Sequence, residues 1–352
     1  MEYRPLGRTG LTVSQLCLGA MMLGAAGNPD HDDATRIVHR ALDSGINFID
    51  TADAYSHGES EQIVGKALAG GRRENVVLAT KFGLPFGTDP NQRGGSRRWI
   101  TQAVEGSLRR LQTDWIDLYQ VHRLDPNTDL DETLGALSDL VHAGKIRAFG
   151  ASNVPASGIV EARWTAEHRG RERFRTEQPQ YSMLARAIEY DLLPTAQRHG
   201  IGVITYSPLA GGWLSGRYRK RQKVTGPGSA ARGQLFPGVY DATNPANAAK
   251  LDAADALGAT SDEAGMTLIQ MAIAFVTRHP AVTSAIIGPR THEHLDTYLA
   301  ADGIELSTDL LDRIDQIVPP ADTVNVADNL WNRNTTALEA ASRRRQMTLV
   351  PD

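Results

Sequence analysis

The chain has 352 residues, 41% of them hydrophobic and 22% charged, with a formal net charge of −4. That supplies ample apolar material for a large buried core, and the charge balance excludes a basic surface built for nucleic acid or for a membrane. A single cysteine, Cys17, excludes an internal disulfide and fits a reducing cytoplasm, and no apolar run approaches membrane-span length.

In chain order, residues 1–5 carry no apolar leader, and segments 3–6 and 11–14 flank Gly7-Arg8-Thr9-Gly10 as a hairpin. A buried strand follows at 16–19. A helix over 32–44 places Ile37, Val38, Ala41 and Leu42 on one face and ends at Gly45. Strand 47–51 precedes a helix over 60–68 that opens with Ser and Glu, and strand 76–81 precedes a helix over 100–111 with Val104, Leu108 and Leu111 in phase. Strand 115–122, helix 131–143, strand 146–151, helix 156–168, strand 174–178, helix 188–199 and strand 202–207 continue the alternation. A long helical region before 278, strand 284–288 and a helix over 292–300 complete it. The strands read as continuous apolar runs covered on both faces, and helical crossovers imply parallel pairing. Eight such units without a composition break predict an α/β fold, a (β/α)8 TIM barrel forming one domain over 1–352. It has an N-terminal hairpin and a long Gly-, Pro- and Arg-rich loop, 208–247, after the seventh barrel strand. An open dinucleotide-binding sheet would need G-x-G-x-x-G after its first strand, where this chain has Gly19-Ala20-Met21-Met22-Leu23-Gly24. The tail from about 319 is a further candidate cover for a pocket.

Three strand ends carry chemistry. Asp50 closes the second barrel strand, with Tyr55 a short turn later; Lys81 and His122 close the third and fourth. A free phenol titrates near about 10, too high for efficient proton exchange at neutrality. An ammonium about 4 Å away, at an effective dielectric near 20, favours the phenolate by roughly 4 kcal/mol, about three pKa units. Lys81 is the candidate for that ammonium and Asp50 for its support. Tyr55 could then give a proton to a carbonyl oxygen, and His122 could orient that carbonyl. Singly, each residue has a plainer role: Asp50 a turn cap, Tyr55 a rim aromatic, Lys81 a rim lysine or a Schiff-base nucleophile, His122 a satisfied core histidine. Together they require four coincidences at neighbouring strand ends.

These residues, in this order, resemble the aldo-keto reductase family. Asp50-Thr51-Ala52-Asp53-Ala54-Tyr55 with Gly58-Glu59-Ser60-Glu61 resembles its second-strand signature, and Thr80-Lys81 and Val121-His122 resemble its third and fourth strand ends. The resemblance runs from the hairpin to the helix after the eighth barrel strand. It implies NADPH as cofactor and a small-molecule carbonyl as substrate. It also implies Tyr55 as general acid, tuned by Lys81 and Asp50, with His122 orienting substrate. Gly150-Ala151-Ser152-Asn153 and Gln178 resemble the elements that hold the nicotinamide carboxamide, and Tyr206 the aromatic that stacks on the ring. Ser207, Pro208, Leu209, Gly211 and Gly212 resemble the pyrophosphate loop, where glycine permits close backbone approach. Met22 and Asp50 are placed at the cofactor as well. Gly288-Pro289-Arg290 resembles the element at the adenosine phosphate; Arg290, with Arg217, implies a 2′-phosphate and hence NADPH over NADH. His294 and Tyr298 stand where many relatives carry glutamine and asparagine, so stacking would hold the adenine.

Met21, Met22, Phe82, Phe86, Trp99, Trp213 and Trp331 are candidates for a pocket wall suited to aromatic or medium-chain aldehydes and ketones, each equally a core residue. The potassium-channel β-subunits resemble the family too, so a cofactor-sensing binding protein with little turnover is the alternative function. An aldolase using Lys81 as a Schiff base is a third reading. The Asp50 pairing opposes it, because a nucleophilic lysine must be uncharged. No His-x-x-x-His or cysteine pair points to a metal.

Overall fold

The computed structural model describes residues 1–220, 237–325 and 328. Eight strands close into a parallel barrel: β3 (Leu16–Gly19), β4 (Phe48–Asp50), β5 (Val77–Phe82), β6 (Ile116–Val121), β7 (Ile146–Ser152), β8 (Thr176–Gln178), β9 (Gly202–Thr205) and β10 (Val282–Ile287), with β10 pairing to β3. Ahead of them, β1 (Tyr3–Pro5) and β2 (Thr12–Ser14) form the expected antiparallel hairpin.

The barrel has two separate apolar cores. The larger lies between strands and helices. The smaller joins Leu6 and Val13 of the hairpin region to Cys17, Phe48, Ala79, Leu118, Ala148 and Ile204, so the hairpin plugs one mouth. The strand period of two then fixes what lies one layer further along. Two residues beyond Phe48, Ala79 and Leu118 on the same strand faces come Asp50, Lys81 and Gln120. The register pairs Ala79 with Leu118 and Lys81 with Gln120. A closed apolar floor therefore carries a buried polar layer toward the strands' C-terminal ends, the face on which barrel enzymes build their sites.

The helices follow their capping chemistry. In α1 (His31–Asp43), the Asp30 side chain accepts from the backbone N–H groups of Asp32 and Asp33. α2 (Glu59–Leu68) begins directly after the turn that holds Tyr55. α3 (Arg97–Leu111) is capped by Ser96, three residues earlier than the expected start. α4 (Leu130–His142) and α5 (Ala156–Arg169) match their expected spans within one residue. α6 (Leu192–His199) starts four residues later than expected, after a 3-10 turn at Ala187–Glu189. The long helical region resolves into α7 (Ala248–Glu263) and α8 (Leu268–Arg278). Gly265 at φ +70° breaks the chain there, and a Thr267–Gln270 capping box starts α8. α9 (His292–Leu299) is as expected. α10 (Thr308–Ile317) is not among the expected elements; Ser307 caps it, and it buries Leu310 and Ile314.

From α10 onward the chain is tied to the segments that follow β8 and precede α7. Arg186 donates to the Val318 carbonyl at 2.6 Å and to Asp315 at 2.7 Å, Val324 N–H donates to the Leu184 carbonyl, and Asn325 donates to Asn247 at 2.7 Å. Of the 208–247 loop, residues 221–236 lie outside the described residues, as does Trp331. No described helix is long and apolar enough to cross a membrane.

Candidate active site

Asp50, Lys81, Tyr55 and His122 meet at the C-terminal end of the barrel. Lys81, fully buried, pairs with Asp50 Oδ1 and donates to the Thr51 carbonyl at 2.9 Å and to the Tyr55 hydroxyl at 3.2 Å. The other Asp50 oxygen accepts from Gln120 Nε2 and Gln178 Nε2, both at 2.9 Å. Tyr55 meets His122 edge to face, with ring centroids 5.7 Å apart.

The electrostatics correct the simple charge arithmetic for Tyr55. Burial raises its pKa above 10, and Lys81 only partly opposes this because Asp50 faces the same phenol. Burial alone would lower Lys81, but the charges of Asp50 and Tyr55 reverse the effect and its pKa is raised. The aspartate thus cancels much of the field that the lysine alone would exert. His122 is held well below the usual histidine range, first by burial and then by the charges of Lys81 and Arg123. It is a neutral imidazole at pH 7, and its buried Nδ1 has no partner among the described residues.

A second group lies beside this one. Ser152 donates to the Gln178 carbonyl at 2.8 Å, Asn153 Nδ2 donates to Ser152 Oγ at 2.7 Å, and Tyr206 donates to Asn153 Oδ1 at 2.7 Å. Asn153 sits at φ +60°, a conformation that asparagine tolerates and most residues do not. Glu177 supports it from behind, accepting from Val154 N–H at 2.9 Å. Burial pushes the Glu177 carboxyl up to about 8, and its Oε2 is buried without a partner among the described residues.

Beyond Tyr206 the backbone turns through several left-handed residues: Ser207 (φ +57°), Ala210 (+50°), Gly211 (+68°) and Gly212 (+108°). Two of these are not glycine, which marks a conformation imposed for a purpose. Ala210 N–H donates to the Ser207 carbonyl at 2.8 Å and Gly212 N–H to the Leu209 carbonyl at 2.9 Å, which holds the turn in this shape. Pro208 and Leu209 lie within this turn. A Cβ on Gly211 would overlap the Tyr240 ring, so only glycine lets that ring close on the turn. Met22 stands beside Gly288, where an added Cβ would meet nothing closer than Met22 Cγ at 4.0 Å. At the far end His294 is held below its usual pKa, first by burial and then by the charges of Arg290 and Arg217, so these three converge. His294 and Tyr298 stack with centroids 6.3 Å apart. Gln178, Ser152, Asn153 and Tyr206 thus form one connected group, Met22 stands beside Gly288, and Arg217, Arg290 and His294 lie near one another. Amides, an aromatic, a close-packed glycine turn and cations are groups that could hold a phosphorylated dinucleotide.

The sequence reading missed Gln120, Glu177 and Arg123. Their signal was a polar residue inside an apolar strand or next to a candidate. Three pocket candidates belong to the core instead. Phe82 stacks on Tyr119, Trp99 is buried on α3, and Trp213 is buried with its Nε1 donating to the Val239 carbonyl. Trp213 also lies under the buried Lys250.

The aldo/keto reductase family model matches residues 15–319. The chain belongs to the aldo/keto reductase family. As a member it is an NAD(P)H-dependent oxidoreductase of a family that acts on small-molecule carbonyl compounds. This aldo/keto reductase is 41% identical over 330 residues to an uncharacterized oxidoreductase of Bacillus subtilis, YrpG, covering 91% of this chain and 96% of that one. It is 33% identical to the aldo-keto reductase YhdN of the same organism, covering 88% and 91% of the two chains. It is also 35% identical to a probable voltage-gated potassium channel subunit beta of Arabidopsis thaliana, covering 90% and 97%.

Proposed function

We propose that this aldo/keto reductase reduces aldehydes and ketones to alcohols with NADPH, and that Tyr55 gives the proton. The observation that carries the reading is the buried hydrogen-bonded chain from Asp50 through Lys81 to the Tyr55 hydroxyl, beside a neutral His122. The substrate oxygen sits between the Tyr55 hydroxyl and the His122 ring. As negative charge develops there, the Tyr55 O–H bond breaks and its proton passes to that oxygen. The ammonium of Lys81, already 3.2 Å away, stabilises the phenolate left behind. Asp50 keeps Lys81 charged and in place. A positioned acid of this kind contributes about 10²–10⁴ in rate.

NADPH, when bound, supplies the hydride. Ser152, Asn153 and Gln178 would hold its carboxamide, Tyr206 its ring, and Met22 and Gly288 would flank it. Ser207, Pro208, Leu209, Gly211 and Gly212 would hold its pyrophosphate. Arg217 and Arg290 would meet the 2′-phosphate, with His294 and Tyr298 against the adenine. The buried Cys17 suits a reducing compartment, and the reading includes a cytoplasmic location.

The likeness to a channel subunit beta favours one second reading, a cofactor-sensing binding protein with little turnover. One assay separates the two. Purified protein is mixed with NADPH and 4-nitrobenzaldehyde, then with a broad aldehyde panel, and the nicotinamide absorbance is followed. Steady oxidation supports the reductase. Tight NADPH binding without turnover on any aldehyde supports the sensor.

A further inference from the structure

Gln120 lies on β6 in the same polar layer as Asp50 and Lys81, fully buried. A carboxamide offers two N–H donors and one carbonyl acceptor. Gln120 Nε2 donates to Asp50 Oδ2 at 2.9 Å, and its Oε1 accepts from Gln178 Nε2 at 3.3 Å. Gln178 Nε2 also donates to Asp50 Oδ2 at 2.9 Å. Both hydrogens of the Gln178 amide nitrogen are thus engaged, and two acceptors on one side fix which way that amide faces. With the amide nitrogen committed to these two acceptors, the Gln178 side-chain carbonyl is left for another partner, and the Gln178 backbone carbonyl accepts from Ser152 at 2.8 Å. Asp50 in turn has Lys81 on one oxygen and two amides on the other. Gln120 therefore touches both the residue that would clamp the cofactor amide and the carboxylate that holds the proton-transfer lysine. An apolar side chain at 120 would take one donor from Asp50 and one acceptor from Gln178.

We propose that Gln120 is a positioning residue that orients Gln178 to accept from the N–H of the nicotinamide amide while securing Asp50 beneath Lys81. This rests on the reading of the site as an NADPH-dependent reductase. If Gln178 is released from its second acceptor, it rotates, and an amide ligand loses a prearranged partner. A ligand without an amide N–H loses nothing. When Gln178 engages the ligand, Gln120 still satisfies the Asp50 oxygen.

The test compares wild type with Gln120→Leu and Gln120→Glu, each checked by thermal melting. Binding of NADP⁺ and of its 3-acetylpyridine analogue, whose acetyl group accepts but cannot donate, is measured by titration calorimetry. Gln120→Leu should weaken NADP⁺ about five- to tenfold, the scale of one net hydrogen bond, and change the analogue less than about twofold. Gln120→Glu keeps the acceptor for Gln178, and a carboxyl buried beside Asp50 holds a proton whose O–H replaces the N–H to Asp50. It should keep the wild-type preference for NADP⁺, with little change in KM, while kcat falls as pH rises and that proton is lost. Equal losses for both ligands in Gln120→Leu, or a Glu variant that binds like the Leu variant, would overturn the proposal. Should the Leu chain not fold, Gln120→Met carries the same comparison. A wild-type chain that binds neither ligand would overturn the functional reading itself, and this proposal with it.

Discussion

The substitution Glu177→Gln tests the buried wall behind Asn153 without any ligand. Glu177 is fully buried, with one oxygen accepting from Val154 N–H and the other without a partner among the described residues. Its carboxyl moves from 4.5 to about 8, with burial the first cause. The folded state therefore holds a proton that the unfolded chain has given up, and stability falls as pH rises between those two values. Integrating the linkage, the cost to the folded state is about 1 kcal/mol at about pH 5 and about 5 kcal/mol at about pH 9. Glutamine keeps the carbonyl for Val154 and puts an N–H where the proton was, at every pH. The variant should therefore gain about 4 kcal/mol over wild type between the two conditions, about 8 °C at about 2 °C per kcal/mol for a chain this long. Asp53, another buried carboxyl that burial raises to about 7, loads both proteins equally and cancels in the difference. The assay is thermal melting of both proteins across the pH range. A variant-minus-wild-type difference that is the same at both ends would refute the claim that Glu177 is held protonated.

Other expectations concern the site itself. Tyr55→Phe should bind NADPH normally and lose at least about 100-fold in carbonyl reduction, the lower bound for a positioned acid; near-normal turnover would sink the mechanism. Arg290→Ala should weaken NADPH far more than NADH in direct titration, and equal losses would show that Arg290 does not read a 2′-phosphate. Lys81→Met leaves Asp50 buried without its cation and should cost about 3–5 kcal/mol in chemical denaturation. Adding Asp50→Asn should recover most of that stability and none of the activity, whereas a double variant as unstable as the single would mean that the pair's charge is not the cost. Because burial raises the Tyr55 pKa, the donor form is full at neutral pH and is lost only as pH climbs past 10. Reduction should therefore be flat from about pH 6 to 9 while alcohol oxidation, which needs the phenolate, rises over the same range. A reduction rate that climbs with pH would contradict a protonated Tyr55.

The barrel was legible because its two periodicities are clean. Strands such as Leu16–Gly19 are apolar and buried on both faces, and helices such as His31–Asp43 carry a buried stripe with Ile37, Val38 and Ala41. The boundary between α7 and α8 was not, since Gly265 and the Thr267 cap sit inside one continuous helical pattern. α10 escaped although Ser307 and the Leu310–Ile314 spacing were present, because eight units already complete a barrel. The three strand-end residues were legible for a related reason: Asp50, Lys81 and His122 close apolar runs, and a polar group placed there needs either a partner or a use. Gln120 interrupts a run, but an uncharged amide between Tyr119 and Val121 raises no comparable demand.

What sequence could not supply was the sum of opposing fields at Tyr55. One lysine near a phenol stabilises the phenolate, and that much follows from the residue list. The same list contains the aspartate that neutralises the lysine and the apolar floor that strips both of water, and only their relative distances decide the balance. In the folded chain the Lys81–Asp50 pair is closed while the phenol stands at 3.2 Å from Nζ, so the aspartate takes more of the ammonium's field than the tyrosine does. A half-buried phenol raised in this way is a weaker acid but carries its proton in full at neutral pH, where its phenolate is scarce. The arrangement therefore favours giving a proton over taking one at neutral pH, and it is Lys81, poised to receive the phenolate's charge once the proton leaves, that limits how much that loading costs.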